Sequence, residues 1–221
     1  MKEFSVFDII GPRMVGPSSS HTAGAVRIGL IAHRLIGGEH IARADITLYG
    51  SFAETGFGHG TDRAILAGIL GIQPDDARVR YSVLLAQSEG VEFSVTKSDY
   101  EMNHPNTARI RVVSESGREF TIVGASIGGG NIEIVEINGM EVSFSGDYPA
   151  IILFYKDVPG VISKVTAILA AENINVAFMK VFRSAKLMDA CMVIESDAPV
   201  PEETIHSIKE QVSGIKEICA V

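Results

Sequence analysis

One stretch of this chain places four hydroxyl groups and an imidazole side by side: Gly16-Pro17-Ser18-Ser19-Ser20-His21-Thr22-Ala23-Gly24. Apolar residues then recur at helical spacing as far as Gly37-Gly38, which predicts a helix over residues 20–36. A helix start leaves N–H groups unpaired and carries a partial positive charge, so it favours a carboxylate or a phosphate. A histidine in this position can also move a proton. A simpler interpretation stays open, in which one serine caps the helix and the others are solvent-exposed.

Composition narrows the class of protein. The chain has 221 residues, 46% of them hydrophobic, and a net charge of −8. This charge argues against a nucleic-acid-binding protein, which needs a basic face. The N-terminus is too polar for a signal peptide, and no apolar stretch is long enough to span a bilayer. We therefore expect a cytoplasmic protein with no nucleic-acid or membrane partner.

The two cysteines exclude one kind of site. Cys191 and Cys219 both lie in alternating apolar patterns near the C-terminus, where a free cysteine behaves as a small buried hydrophobe. An iron–sulfur cluster normally takes three or four thiolates. This chain therefore cannot build such a cluster alone, and any cluster would come from another chain.

The first two thirds of the chain predict a mixed α/β domain. Glycine is frequent over residues 50–62, which we predict to be a loop before a short helix over 63–70, so that His59 would precede a helix start. A second helix over 75–87, with Tyr81, Leu84 and Leu85 on its apolar face, is a weaker prediction. From residue 91 the pattern predicts an antiparallel meander, with the hairpin signal Asn138-Gly139 near its end. Strands are predicted over 44–49, 91–96, 108–113, 119–125, 131–137 and 141–144.

The pattern changes near residue 147, where we predict the boundary between domains 1–146 and 148–221. The second domain reads as βαββαβ, a ferredoxin-like unit. Its strands are predicted over 150–155, 176–183, 188–194 and 215–220; one helix begins near Asp157, with Pro159 in its first turn, and the other spans 202–212. The predicted fold class is thus α+β, and a second copy would cover the exposed edge of the smaller sheet.

Histidines dominate the possible chemistry of the first domain. His21, His59 and His104 are predicted in polar or glycine-rich loops and suit general acid–base catalysis, whereas His33, His40 and His206 are taken as structural or solvated. A serine-nucleophile triad lacks the nucleophile-elbow pattern. A three-histidine zinc site matches no metal-ligand spacing, and no lysine of this domain is suitably placed for a pyridoxal phosphate Schiff base.

Ordered motifs along the chain resemble a known family. They are Ser5-Val6-Phe7-Asp8-Ile9-Ile10-Gly11-Pro12, the stretch 16–24, Gly50-Ser51-Phe52-Ala53-Glu54-Thr55, Gly58-His59-Gly60-Thr61-Asp62, His104-Pro105-Asn106-Thr107-Ala108 and Ser126-Ile127-Gly128-Gly129-Gly130. Together they resemble the β chain of bacterial iron–sulfur L-serine dehydratases. The C-terminal part, with Asp157-Val158-Pro159-Gly160-Val161-Ile162, is similar to an ACT domain. The first part is similar to the allosteric-substrate-binding domain that precedes ACT in some phosphoglycerate dehydrogenases.

The resemblance implies an enzyme split over two chains, with a [4Fe–4S] cluster on a separate α chain. In the family an iron of that cluster binds the hydroxyl of L-serine while a base removes the Cα proton, and aminoacrylate decays to pyruvate and ammonia. By motif, His21 and His59 are the two candidate bases, and the choice between them stays open. The resemblance also implies that Ser19, Ser20, Thr22 and Asn106 hold the substrate, and that the chain serves amino-acid metabolism such as gluconeogenesis.

Two positions depart from the family pattern, and one site depends on the resemblance alone. Phe57 stands where relatives often have lysine or another polar residue, and Ala25 stands where single-chain relatives have proline. The ACT resemblance implies an effector amino acid, with serine as a guess, and a homodimer formed through that domain. The implied effector-binding residues are Asp157, Gly160, Val161, Asn173 and Asn175. Two alternatives stay open: Asp157 is merely a helix cap, and the chain is a non-enzymatic amino-acid-binding regulator.

Overall fold

The structure, a computed structural model, describes residues 13–183, 185 and 188–221. The chain divides into one unit that ends at Gly139 and another that begins at Met140. The boundaries 1–146 and 148–221 thus remain a prediction, and the motif Ser5 to Pro12 lies outside the described residues. In the described part, no helix is both long and apolar enough to cross a membrane.

The helices of the first unit pack against a six-stranded sheet whose strands mostly match the sequence pattern and whose last strand follows the division at Met140. The helices are α1 (Ala25–Leu35), α2 (Gly50–His59), α3 (Thr61–Ile69) and α4 (Ser82–Ser88). A π-helical turn (Ser19–Gly24) leads into α1, and a 3-10 turn (Ala77–Tyr81) precedes α4. The strands are β1 (Ile41–Tyr49), β2 (Glu92–Ser98), β3 (Thr107–Ser114), β4 (Glu119–Gly128), β5 (Asn131–Ile137) and β6 (Met140–Phe144).

The order of the sheet, β2-β1-β3-β4-β5-β6, confirms part of the predicted meander and corrects its start. Strands β3 to β6 follow one another, and Asn138 and Gly139, the predicted hairpin signal, both have positive φ, as a type I′ turn requires. However, β2 does not lie beside β3. It pairs in parallel with β1, which itself pairs with β3. Helices α2 to α4 connect β1 to β2, and such a long connection allows parallel pairing.

Helices α1 and α3 cross at two facing glycines. A Cβ atom on Gly68 would clash with the carbonyl oxygen of Val26, and one on Gly29 would clash with the carbonyl oxygen of Ile65. The two helix backbones therefore approach more closely than any larger residue would allow. This contact matters for the site because α1 follows the turn that carries His21, and α3 follows His59.

The segment around His59 is a helix, contrary to the predicted loop. Helix α2 buries Phe52, Ala53 and Gly56 along one side, and Gly60 with φ 74° ends it. His59 is the last residue of α2 and lies two residues before α3 begins, so it occupies a helix C-terminus rather than only a position before a helix start. Glycine lowers intrinsic helix propensity, but burial of an apolar face overrides that local preference.

The weaker helix prediction over 75–87 was wrong about the buried face. Tyr81 and Leu84 are 54% and 63% exposed, whereas Val79, Ser82 and Ala86 are buried. Ser82 Oγ donates to the Arg63 carbonyl oxygen at 2.8 Å, so a small hydroxyl residue packs where an aromatic was expected. The segment also begins as a 3-10 turn instead of an α-helix.

From Ala150 onward, the second unit has the predicted βαββαβ order. Its elements are β7 (Ala150–Lys156), α5 (Val161–Ala171), β8 (Val176–Arg183), β9 (Asp189–Ser196), α6 (Glu202–Gln211) and β10 (Ile215–Ala220). The sheet order is β10-β7-β9-β8, and every neighbouring pair is antiparallel. The core includes Leu153, Val165 and Met192. This confirms the ferredoxin-like fold and the α+β class.

One detail at α5 differs from expectation. Gly160, with φ 95°, is the N-cap residue, so Asp157 and Pro159 precede the helix. The Asp157 carboxylate instead lies 3.5 Å from the guanidinium of Arg183. The prediction that Asp157 is the cap was therefore wrong, because a left-handed glycine already sets the entry of the chain into this helix.

Candidate functional site

The hydroxyl-rich stretch forms the predicted helix start, but its first turn is a π-helix. Ser18 is the N-cap, and its Oγ accepts a hydrogen bond from the His21 backbone N–H at 3.1 Å. The simple interpretation of one serine as a cap therefore holds for Ser18. Ser19, Ser20 and His21 are half-buried in this turn, while Thr22 is buried.

Two close backbone approaches bring other segments of the first unit to this turn. Gly24 lies against the side chain of Ser126 at the end of β4, where a Cβ atom would not fit. Gly50, with φ 50°, packs on the backbone of Pro105, and Phe52 N donates to the Pro105 carbonyl oxygen at 3.4 Å. The turn therefore lies against the end of β4, and the start of α2 lies against the loop before β3.

The His21 ring contacts several side chains of α2. Its Nε2 lies 3.1 Å from Thr55 Oγ1 and 3.4 Å from Ser51 Oγ. The buried Phe52 ring meets it edge-on, with 5.1 Å between centroids. On the other side of the ring, Nδ1 lies 3.5 Å from Ser18 Oγ. Hydrogen bonds and an aromatic contact thus orient the imidazole.

His59 is the second histidine of the site. Its ring centroid lies 5.0 Å from that of His21. Its Nδ1 donates to the carbonyl oxygen of Thr55 at 3.1 Å, one helical turn earlier. His59 and Thr55 are exposed, so this part of the site opens to solvent. The structure thus brings together the two histidines that the motifs singled out.

Burial lowers the pKa of His21 below its ordinary value, and the neighbouring His59 lowers this pKa further. A hydrogen bond with the Ser51 backbone opposes both effects. The net lowering favours the neutral imidazole, which is the form that can accept a proton.

Two of the predicted substrate-binding side chains have a buried polar atom without a hydrogen-bond partner in the described structure. These atoms are Thr22 Oγ1 and Asn106 Oδ1. The amide nitrogen of Asn106 is engaged, because it donates to the Ser126 carbonyl oxygen at 3.4 Å. Buried polar groups are normally paired, so these two unpaired atoms are available to a ligand.

His104 bonds within its own loop. Its Nδ1 accepts a hydrogen bond from Asn106 N–H at 3.2 Å, and its carbonyl oxygen accepts one from Thr107 Oγ1 at 2.6 Å. Among the residues that the structure describes, no group of three histidine, cysteine or acidic side chains is arranged to hold a metal ion. His104 thus shapes the loop that presents Asn106.

The cysteines of this chain do not form an iron–sulfur site. Both are buried in the second unit, where β7 separates the strands that carry them: Cys191 pairs with Phe154 and Cys219 with Ile152. Burial raises the pKa of the Cys191 thiol to about 12. Cluster ligation requires thiolates, so these residues do not fit a cluster.

Phe57, which departs from the family pattern, lies beside a lysine of strand β2. The Lys97 ammonium group of β2 lies 4.9 Å from the centroid of the Phe57 ring, which is 50% exposed. A positive charge that the local sequence lacks is therefore supplied beside this position by another strand.

Sequence reasoning missed the side chains that orient His21, namely Ser18, Ser51 and Thr55. Ser51 and Thr55 lie in the motif 50–55, and their spacing of four residues would place both on one helix face. The predicted loop over 50–62 does not use this helical spacing.

The residues predicted to bind an effector lie at two ends of α5. Gly160 and Val161 start this helix, and Asn173, with φ 55°, follows its end. The 11 residues of α5 make it about 16 Å long, at 1.5 Å per residue. Asn175 Nδ2 donates to Asp197 Oδ2 at 2.6 Å, at the end away from Gly160. One unit therefore does not bring all five predicted residues together.

Comparisons with known proteins match both units. A family model described as "Serine dehydratase beta chain" matches residues 5–136, and one described as "ACT domain" matches residues 150–210. The chain is 45% identical over 210 residues to the probable L-serine dehydratase, beta chain, of Bacillus subtilis (strain 168), an alignment that covers 95% of this chain and 94% of that protein.

Two further relatives extend the comparison. The L-serine dehydratase, beta chain, of Peptoniphilus asaccharolyticus is 38% identical over 217 residues, which are 98% of this chain and 96% of that protein. A D-3-phosphoglycerate dehydrogenase of Synechocystis sp. is 26% identical over 199 residues, which cover 89% of this chain but only 35% of the relative. The similarity to phosphoglycerate dehydrogenases noted from the motifs is thus confirmed.

Proposed function

The chain belongs to the serine dehydratase beta chain family and carries an ACT domain, and from this premise we propose that it is the β chain of a two-chain L-serine dehydratase. Together with an α chain it would convert L-serine to pyruvate and ammonia. Serine first loses water to give aminoacrylate, which water then hydrolyses. In this proposal the α chain carries the [4Fe–4S] cluster, and this chain contributes substrate binding and proton transfer.

The observation that carries the proposal is the His21–His59 pair. Two imidazoles with centroids 5.0 Å apart lie beside a hydroxyl-rich helix start and open to solvent on the His59 side. This arrangement can bind a carboxylate and move a proton. Its open side, together with the beta-chain names of the relatives, supports a partner chain that covers it.

The residues of this chain have separate roles in the proposal. The helix start at Ser19 and Ser20 presents N–H groups and hydroxyls to the substrate carboxylate. Asn106 Oδ1 accepts a hydrogen bond from the substrate ammonium group, and Thr22 Oγ1 completes the cradle. A neutral histidine, His21 or His59, removes the Cα proton.

Regulation by an amino acid and assembly as a homodimer belong to the same proposal. Strand β8 is an edge of the second sheet, and its Met179 and Val181 are each 40% exposed. A second copy that pairs along this edge would cover these side chains. Within one copy the predicted effector-binding residues lie at the two ends of α5. The second copy would supply a second set of these residues. We further propose that the complex acts in the cytoplasm.

The test is anaerobic co-expression with the α chain, followed by a serine dehydration assay. One of the two histidines acts as the base. We expect its replacement, by His21→Gln or by His59→Gln, to lower kcat on the order of 100-fold. His206→Gln is the matched control, because His206 lies exposed on α6 beside Glu210 and should leave kcat unchanged. Near-normal turnover in both site variants would refute the histidine roles. Turnover by the chain alone, free of iron and equal to that of the pair, would refute the split site.

The second candidate function is a non-enzymatic amino-acid-binding regulator, which the ACT domain favours. Isothermal calorimetry of the isolated chain with serine and glycine measures whether binding occurs without a partner. A neighbouring reading frame with clustered cysteines would favour the enzyme. Serine binding with no dehydration in any reconstituted pair would favour the regulator.

A further inference from the structure

Thr55 makes hydrogen bonds to both histidines of the site through two different groups. Its Oγ1 lies 3.1 Å from His21 Nε2, and its carbonyl oxygen lies 3.1 Å from His59 Nδ1. The two contacts differ in what they require of the imidazole, because a hydroxyl can donate or accept whereas a carbonyl only accepts.

The proton of the Thr55 hydroxyl is already committed. Oγ1 lies 2.9 Å from the Ser51 carbonyl oxygen one turn earlier, and only the hydroxyl can donate in that bond. With its single proton used, Oγ1 can only accept from His21 Nε2. The neutral His21 ring therefore carries its proton on Nε2, and Nδ1 keeps the lone pair.

The other side of the His21 ring agrees with this assignment. Ser18 Oγ accepts a hydrogen bond from the His21 backbone N–H at 3.1 Å and retains its own proton. That proton can be donated to Nδ1, which lies 3.5 Å away. Ser51 Oγ lies 3.4 Å from Nε2 and makes no second hydrogen bond within the described part of the chain, so this hydroxyl can accept from the Nε2 proton.

The opposite assignment holds for His59. Because the Thr55 carbonyl oxygen accepts, His59 Nδ1 carries the proton and Nε2 keeps the lone pair. The same logic applies to His33, which lies away from the site. Its Nδ1 donates to the Ile69 carbonyl oxygen, and the two atoms are 2.9 Å apart.

We propose that Thr55 is a positioning residue that sets opposite tautomers on the two histidines: Nε2–H on His21 through its hydroxyl, and Nδ1–H on His59 through its carbonyl. This assigns one accepting nitrogen to each ring, Nδ1 in His21 and Nε2 in His59. The catalytic meaning of these nitrogens rests on the proposed function, but the assignment itself concerns the isolated chain.

The test is long-range ¹H–¹⁵N correlation NMR of the ¹⁵N-labelled chain at alkaline pH, where the histidines are neutral. Spectra of His21→Gln and His59→Gln identify the two rings. We expect the cross-peaks of His21 to show the Nε2–H tautomer alone, and those of His59 to show the Nδ1–H tautomer alone. Thr55→Val should lower the share of the Nε2–H form of His21, although the hydrogen bond of this ring with the Ser51 backbone remains. It should leave the His59 pattern unchanged, while Thr55→Ser and Ser51→Ala should retain both patterns.

The Nδ1–H pattern of His33 reports that each variant is folded, because it depends on a contact outside the site. An Nδ1–H tautomer for His21 in the unmodified chain, or a His21 pattern that Thr55→Val leaves unchanged, would overturn the inference. These results need no α chain and no turnover. A failed dehydration assay with the expected spectra would therefore count against the proposed function alone.

Discussion

The imidazole rings of His21 and His59 lie 5.0 Å apart, centroid to centroid, although the residues belong to different helices. His21 sits in the turn that leads into α1, and His59 ends α2. Each ring is oriented by a hydrogen bond to Thr55. Because of this closeness, a charge on His59 disfavours protonation of His21.

We predict that His59→Gln raises the pKa of His21. The nearby His59 contributes to the lowering of that pKa, and glutamine removes its charge while retaining a polar side chain. Burial would continue to act, so the pKa should stay below its ordinary value of 6.5. An NMR titration of His21 measures the shift, and His206→Gln provides a control away from the site. A pKa that stays the same or falls would contradict the Coulombic coupling.

The lowered pKa of His21 also predicts how stability depends on pH. As pH falls through 6.5, the ordinary value for histidine, the unfolded chain takes up a proton on His21 before the folded chain does. The unfolded state then binds more protons, so the free energy of unfolding decreases as pH falls through this window. Urea unfolding at several pH values should show a smaller decrease in His21→Gln than in the unmodified chain. Identical pH dependence in both proteins would count against this assignment.

Gly68→Ala should destabilise the first unit. The added Cβ would meet the Val26 carbonyl oxygen, which is backbone and cannot move aside without shifting α1. Overpacking of this kind costs about 2 kcal/mol or more. The matched control is Gly58→Ala in α2, where a Cβ atom meets nothing within 4 Å and helix propensity favours alanine. Equal denaturant midpoints for the two variants would show that the close crossing is unimportant.

Both cysteines should resist alkylation in the folded chain. Cys191 and Cys219 are 0% and 4% exposed, and the Cys191 thiol has a pKa of about 12, so little thiolate forms at pH 8. Mass spectrometry after iodoacetamide treatment should show no addition to the native protein and two additions after unfolding. A Ser88→Cys variant, with an exposed position at the end of α4, should gain one addition when folded. Rapid labelling of the native cysteines would contradict their burial.

The local sequence pattern was sufficient to predict the elements of the second unit and most strands of the six-stranded sheet. The final strand, Ile215–Ala220, matches its predicted bounds, and β5 matches at Asn131–Ile137. Such elements are predictable because each follows one periodicity of apolar residues, bounded by turn residues, that packing reinforces. Helix α5 begins a few residues after its predicted start. The reason is that Gly160, in a left-handed conformation, is the N-cap instead of Asp157.

Predictions failed where distant residues decide the conformation. Helix α2 contains three glycines within Gly50–His59, so its local preference for helix is weak, yet burial of Phe52, Ala53 and Gly56 stabilises it. The parallel pairing of β2 with β1 likewise depends on a long connection that no local pattern describes.

The sequence by itself determined the α+β class, the ferredoxin-like second unit, and a helix start rich in hydroxyls beside His21. It also ruled out a cluster ligated by this chain alone, because the number of thiols does not depend on folding. Only the tertiary structure decided that His59 ends a helix, that its ring lies beside His21, and that Thr55 bonds to both. The contacts of His21 with His59 and Thr55 join segments more than 30 residues apart. Close contacts at glycines such as Gly50 and Gly24, rather than any local periodicity, bring distant segments together.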